Sequence, residues 1–273
     1  MRFAAMLTPY RPITCVWLLT IAAGCGKSDG SAPILLFSGT GTSRGDVAAV
    51  ETVLRRNHLE YSTVSSRALN GMGLPEMQGH RLLIVPGGNF VQIGNNLTPR
   101  TTANIREAVK GGLNYLGICA GAFFAGNSPY NGLNLTSGVR FGFYAAENQG
   151  IRKAAVAITT AGGQTLEQYW EDGPELTGWG AVVGRYSDAT PAFVEGTFGS
   201  GWVILSGVHP EAPESWRRGM EFKTPVDQDH AYAATLIRAA LARKQSCRAV
   251  GEDFSQRQGG MSVLLLGVNG PAG

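Results

Sequence analysis

Charge is scarce in this sequence. Asp, Glu, Lys and Arg make up only 16% of its 273 residues, and the formal net charge is +3. The basic residues stand singly or in short pairs such as Arg55-Arg56 and Arg217-Arg218, and no basic stripe interleaves with aromatics. A nucleic-acid footprint is therefore excluded as the expectation. Histidine and cysteine are equally sparse at four each, and none of them falls into metal-ligand spacing, so no zinc site and no cofactor is expected. No apolar run reaches the ~20 residues that a membrane-crossing helix needs. Internal repeats are absent. What the chain has instead is a 44% apolar content and 38 glycines, most of them in short turns flanked by apolar runs. That combination suits a well-filled core with many strand-to-helix corners.

The N-terminus reads as an export signal. Met1 to Arg11 carries arginine and no acid, and Ile13 to Ala23 is an almost unbroken apolar run ending in small residues before Cys25. Ile21-Ala22-Ala23-Gly24-Cys25 resembles a bacterial lipoprotein signal, which implies lipidation at Cys25. Ordinary secretory cleavage, or a start codon placed upstream of a cytosolic domain, are the alternatives. The expected organisation is a signal over 1–25, a polar tether over 26–33, one domain over 34–245 and a tail over 246–273. Cys15 and Cys25 belong to the leader, which leaves Cys119 and Cys247, too few for a disulfide framework.

Along the domain, short apolar runs alternate with helical spacing. Ile34 to Phe37, Glu60 to Val64, Arg81 to Val85 and Leu113 to Ile118 read as strands; Val47 to Arg55 and Thr101 to Lys110 read as helices, the first capped by Ser43 or Asp46. Strands without alternation are covered on both faces, the mark of a mostly parallel sheet between helical layers. Beyond Ala125, Val139 to Tyr144, Ala154 to Thr159, Ala181 to Val183, Ala192 to Thr197 and Trp202 to Leu205 read as strands in antiparallel pairing. Gln228 to Arg243 closes the domain as a helix packed across the sheet.

The chemistry concentrates in three places. Gly117-Ile118-Cys119-Ala120-Gly121 ends a buried strand, and glycines on both sides permit the tight strand-to-helix turn that presents a nucleophile. A helix starting there favours thiolate over thiol and offers N–H groups to an oxyanion. Next, Val208-His209-Pro210-Glu211 sets a base and a carboxylate two residues apart past a strand, the partners that a cysteine nucleophile needs. Finally, Pro86-Gly87-Gly88-Asn89 bares backbone N–H groups at the end of another strand. His58 and His80 read as surface residues, Glu171-Asp172 as a solvated loop, and Trp170, Trp179, Trp202 and Trp216 as packing or pocket wall.

These motifs together resemble the class I glutamine amidotransferase-like superfamily. Ser38-Gly39-Thr40-Gly41, Val85-Pro86-Gly87-Gly88, Tyr115 to Ala122 and Gly207 to Glu211 are most similar to one branch of it, the N-terminal domain of some biotin–protein ligases, which also occurs alone in bacterial proteins. The resemblance spans about Pro33 to Arg243. It implies a flavodoxin-like three-layer sandwich with Cys119 as nucleophile, His209 as base and then acid, and Glu211 as the orienting carboxylate. Gly88 and Ala120, with Gly87 beside them, would form the oxyanion hole. No synthetase or ligase domain accompanies the motifs. Three functions follow: a thiol amidohydrolase acting on a small-molecule or peptide amide, a binding or scaffold domain, and a glutaminase subunit serving a separate synthetase. The first two fit a lipid-anchored protein facing the periplasm; the third needs the cytoplasm.

Overall fold

The computed structural model describes residues 31–145 and 149–246. Cys25, where lipidation is expected, the rest of the expected signal, most of the expected tether, Cys247 and the remaining tail lie outside the described residues. Among the described residues no helix is long and apolar enough to cross a membrane.

The first half is a series of βα units. Strands β1 (Ile34–Phe37), β3 (Leu82–Val85) and β4 (Asn114–Ile118) are buried at every position, and β2 (Tyr61–Val64) forms the edge. Between them run α1 (Arg44–Arg56), α2 (Ser66–Gly71), α3 (Leu74–Gln78), α4 (Phe90–Asn95) and α5 (Pro99–Gly111), and α6 (Ala120–Ala125) follows β4. The second half adds β5 (Gly142–Phe143), β6 (Lys153–Thr160), β7 (Thr165–Glu171), β8 (Pro174–Glu175), β9 (Ala181–Arg185), β10 (Pro191–Phe198), β11 (Gly201–Ser206) and finally α7 (Val226–Ala242).

Nine strands form one sheet in the order β2-β1-β3-β4-β11-β10-β9-β6-β7, and β5 pairs with β8 apart from it. From β2 to β11 all pairings are parallel; from β11 to β7 all are antiparallel. Alternate side chains of each buried strand enter opposite layers. Ile34 and Leu36 pack with Val50 and Val53 of α1 and with Leu236 and Ile237 of α7. Leu35 and Phe37 pack on the other face with Leu69, Ile93, Ile105 and Phe124 from the helices between α2 and α6. This is the three-layer α/β sandwich that the buried strand runs call for.

Several elements differ from the sequence reading. Val139 to Tyr144 gives a strand only at Gly142–Phe143, because the chain there is a loop pinned locally, as by Thr136 Oγ1 donating to the Val139 carbonyl at 2.7 Å. Strand β7 and helices α2 to α4 escape the pattern search, being short or mixed in polarity. His80 is buried, not at the surface, since its ring is tied to the Ala32 carbonyl at 2.8 Å. Ser246, the first residue of the expected tail, is docked, its N–H donating to Glu195 at 3.0 Å.

Candidate active site

Parallel α/β sheets offer a crevice at the carboxyl ends of their strands, where chain connections leave in opposite directions. Here β1 sends its connection outward to β2 and the chain returns to β3 on β1's other side. The loops after β1 and β3 interlock at that point. Thr42 and Gly88 form an isolated bridge, Ser43 N–H donates to Gly87 O at 3.1 Å, and Asn89 N–H donates to Gly41 O at 2.7 Å. The loops after β4 and β11 complete the crevice.

Cys119 directly follows β4 and caps α6 at φ 49°, ψ −104°, a strained backbone for any residue with a side chain. The turn can close there because Gly121 lets α6 approach β3. A Cβ on Gly121 would stand 1.9 Å from the Val85 carbonyl oxygen. Cys119 N–H donates to Ser206 O at 2.8 Å, which fastens the elbow to the end of β11. Three residues on from Ser206, His209 is held by its own N–H donating to Tyr169 O at 2.8 Å, and its ring meets Tyr169 and Trp216 edge-on at 5.9 and 5.8 Å between centroids.

Cys119, His209 and Glu211, the three residues expected to act together, are brought together and buried. His209 Nδ1 lies 2.9 Å from Glu211 Oε1. With Nδ1 so engaged, Nε2 is the nitrogen left for the thiol, and both Cys119 and His209 line the same cavity. The sulfur also reaches the backbone carbonyl of Glu171 at 3.5 Å. Gly88 and Ala120 line the cavity beside the sulfur, but Gly87 does not. Gly87 serves behind it: a Cβ there would stand 2.0 Å from Asp46 Oδ1 and 2.7 Å from His209 Cε1.

Asp46 is the residue that sequence reasoning missed. It sits in the first turn of α1, its backbone N–H capped by Ser43, and its Oδ1 lies 3.2 Å from His209 Nδ1. Nothing in its sequence position separates it from an ordinary helix-start acid. The structure also moves Glu171 and Asp172 from a solvated loop to the cavity wall, where Tyr169 Oη donates to Glu171 at 2.6 Å and Arg152 pairs with Asp172.

Electrostatics follow from this geometry. Burial pushes the His209 pKa down, yet the Glu211 charge, the Cys119 sulfur and Asp46 outweigh it and raise the pKa well above the usual imidazole value. Burial likewise pushes Asp46 up, but the His209 ring 3.2 Å away leaves it below the usual carboxylate range. Asp46, His209 and Glu211 also present one ligand atom each within 4.8 Å of one another, a donor set that fits a divalent ion. An ion there would have to displace the proton that Nδ1 shares with Glu211.

Comparison with known proteins bears on the elbow half of the site. Residues 32–131 match the family model of the biotin-protein ligase N-terminal domain. The match takes in Asp46, Gly87, Gly88 and Cys119 and ends before His209 and Glu211, which only the fold brings to the same place. Among solved structures, a glutamine amidotransferase is similar at 21% identity and a TM-score of 0.51, over 66% of this chain and 90% of that one. That likeness carries the class I glutamine amidotransferase-like fold. Two more distant likenesses are a cytoplasmic protein from Salmonella typhimurium (12% identity, TM-score 0.48, 75% of this chain and 98% of that one) and a putative GMP synthase component from Thermoplasma acidophilum (12%, 0.46, 82% and 98%). No curated protein gives a match.

Proposed function

We propose that this protein is a cysteine-nucleophile amidohydrolase. The carrying observation is the imidazole of His209, 2.9 Å from Glu211 Oε1 through Nδ1, lining the same cavity as the Cys119 thiol. In the proposed reaction His209 takes the thiol proton and the sulfur attacks an amide carbonyl. The oxyanion is received by backbone N–H groups, with those of Gly88 and Ala120 as the candidates. His209 then gives its proton to the departing amine, and a water, deprotonated by the same ring, hydrolyses the thioester. Glu211 fixes the tautomer throughout. The substrate is an amide of a small molecule or peptide. The N-terminal segment supports a lipid anchor at Cys25 and a place in the bacterial envelope; incorporation of labelled palmitate that disappears in Cys25→Ser tests this.

The test of the chemistry is alkylation of Cys119 by iodoacetamide near neutral pH. His209→Ala is expected to slow it by about tenfold or more, because the thiolate loses its counter-ion. An unreactive Cys119, or equal rates in the two proteins, favours a binding domain in which the thiol stays capped by the Glu171 carbonyl.

A further inference from the structure

The cavity beside Cys119 has a volume of about 610 Å³, within the range that holds drug-sized ligands rather than a bare amino-acid amide. One wall is a continuous array of rings. Phe90 stacks on Phe123 at 4.7 Å between centroids, Phe123 meets Phe143 at 4.9 Å, and Tyr130 lies edge-on to Phe90 at 6.1 Å. Phe123 is buried and Phe90 half-buried, and the outer rings Tyr130 and Phe143 are exposed, which is unusual for this molecule. Only Tyr130, Phe143 and Ile151 are large hydrophobic side chains left exposed among the described residues, at about 40% each, and two of the three line this cavity. Phe143 is held there by backbone pairing, since β5 and β8 join Gly142 to Glu175 and Phe143 to Pro174.

Charges on the same cavity are almost all committed. Asp46 faces His209, Glu171 accepts from Tyr169, and Asp172 pairs with Arg152. Arg140 is the exception: it is exposed, lines the cavity, and forms no hydrogen bond or ion pair among the described residues. Such a guanidinium beside an open aromatic surface matches a ligand that is flat and apolar at one end and anionic at the other.

We infer that the cavity takes an amide bearing a flat apolar group, which lies on the Phe90–Phe123–Phe143–Tyr130 wall, and a carboxylate, which pairs with Arg140. The inference deepens the amidohydrolase reading and rests on it for the role of the amide, although the binding it describes does not depend on turnover. Calorimetry separates the two. The probes are hippurate (benzoylglycine, with ring, amide and carboxylate), benzamide, N-acetylglycine and glutamine, titrated into the full chain carrying Cys119→Ser to block turnover. Hippurate is expected to bind at least about tenfold tighter than any of the other three. Arg140→Gln should reduce hippurate binding to the benzamide level and leave benzamide unchanged, whereas Phe143→Ala should weaken both. Both side chains are exposed, and unchanged melting temperatures will show that the variants fold. Hippurate binding no tighter than N-acetylglycine or benzamide, or binding that survives Arg140→Gln, overturns the inference. An inert Cys119 in the alkylation experiment overturns the amidohydrolase reading instead, and leaves the calorimetric result standing.

Discussion

At His209 two carboxylates converge on one ring nitrogen. Nδ1 carries a single proton, directed to Glu211, and Asp46 Oδ1 lies close by at 3.2 Å without a hydrogen-bond donor of its own. Such a group is costly to bury unless a positive charge faces it, so the arrangement favours the imidazolium. Removing either charge should lower the His209 pKa. Glu211→Gln should lower it more than Asp46→Asn, because the Glu211 charge is the strongest of the attractions that raise it. An NMR titration of the His209 ring protons reads both shifts; no shift in Asp46→Asn would place Asp46 outside the site's electrostatics, and equal shifts would overturn the ranking. Gly87→Ala tests the same spot by volume. Its methyl cannot coexist with Asp46 Oδ1 at 2.0 Å, so the pair must separate, with an expected loss of about 1–3 kcal/mol in urea unfolding and of the rapid alkylation of Cys119.

At the scale of elements, the elbow depends on β3 and α6 touching through Gly121. Gly121→Ala sets its Cβ 1.9 Å from the Val85 carbonyl oxygen, a backbone atom that cannot rotate away. It is expected to destabilise by at least about 1–3 kcal/mol by urea unfolding, more than an alanine at Gly71, where no heavy atom lies within 4 Å. Strand β7 is the element that matters most beyond the expected ones. It carries Tyr169, which fastens the His209 backbone, and Glu171, whose carbonyl meets the thiol. Its sequence, TLEQYWE, hides it, because Gln168 and Tyr169 are both buried and break the alternation of an edge strand. Helices α2, α3, α4 and α6 are five or six residues each, too short for a 3.6-residue period to emerge.

For the whole molecule, stability should fall as pH rises across the neutral range. Asp229 is buried against Arg217, and burial pushes its pKa up to about 7 despite that partner. The folded chain therefore keeps a proton that an unfolded Asp releases near pH ~4, so stability declines between those two values. His209, raised, adds stability that is complete below its ordinary value of ~6.5 and is lost as pH climbs through the folded value. Asp46, lowered, acts only in acid, its contribution disappearing as pH falls through its folded value. Thermal unfolding in steps from about pH 5 to 8 should show a falling midpoint, with the part between pH ~5 and ~7 reduced in Asp229→Asn. A midpoint that rises over this range would contradict the assignment.

The sequence by itself determined the parallel half of the sheet, because β1, β3 and β4 are apolar at nearly every position and such runs are stable only between two covering layers. It also marked Cys119, His209 and Glu211, since an elbow needs glycines at fixed offsets and a His-Pro-Glu turn keeps its two polar groups two residues apart. Both are local constraints written in adjacent residues. Asp46, the Glu171 carbonyl and the aromatic wall were decided by the tertiary structure alone. Asp46 comes to His209 because α1 starts at the crevice where β1 and β3 diverge, and Glu171 because β7 is tied to His209 across the isolated Tyr169–His209 bridge. Those approaches join residues more than a hundred positions apart or through a backbone atom, and neither leaves a trace in spacing or residue type.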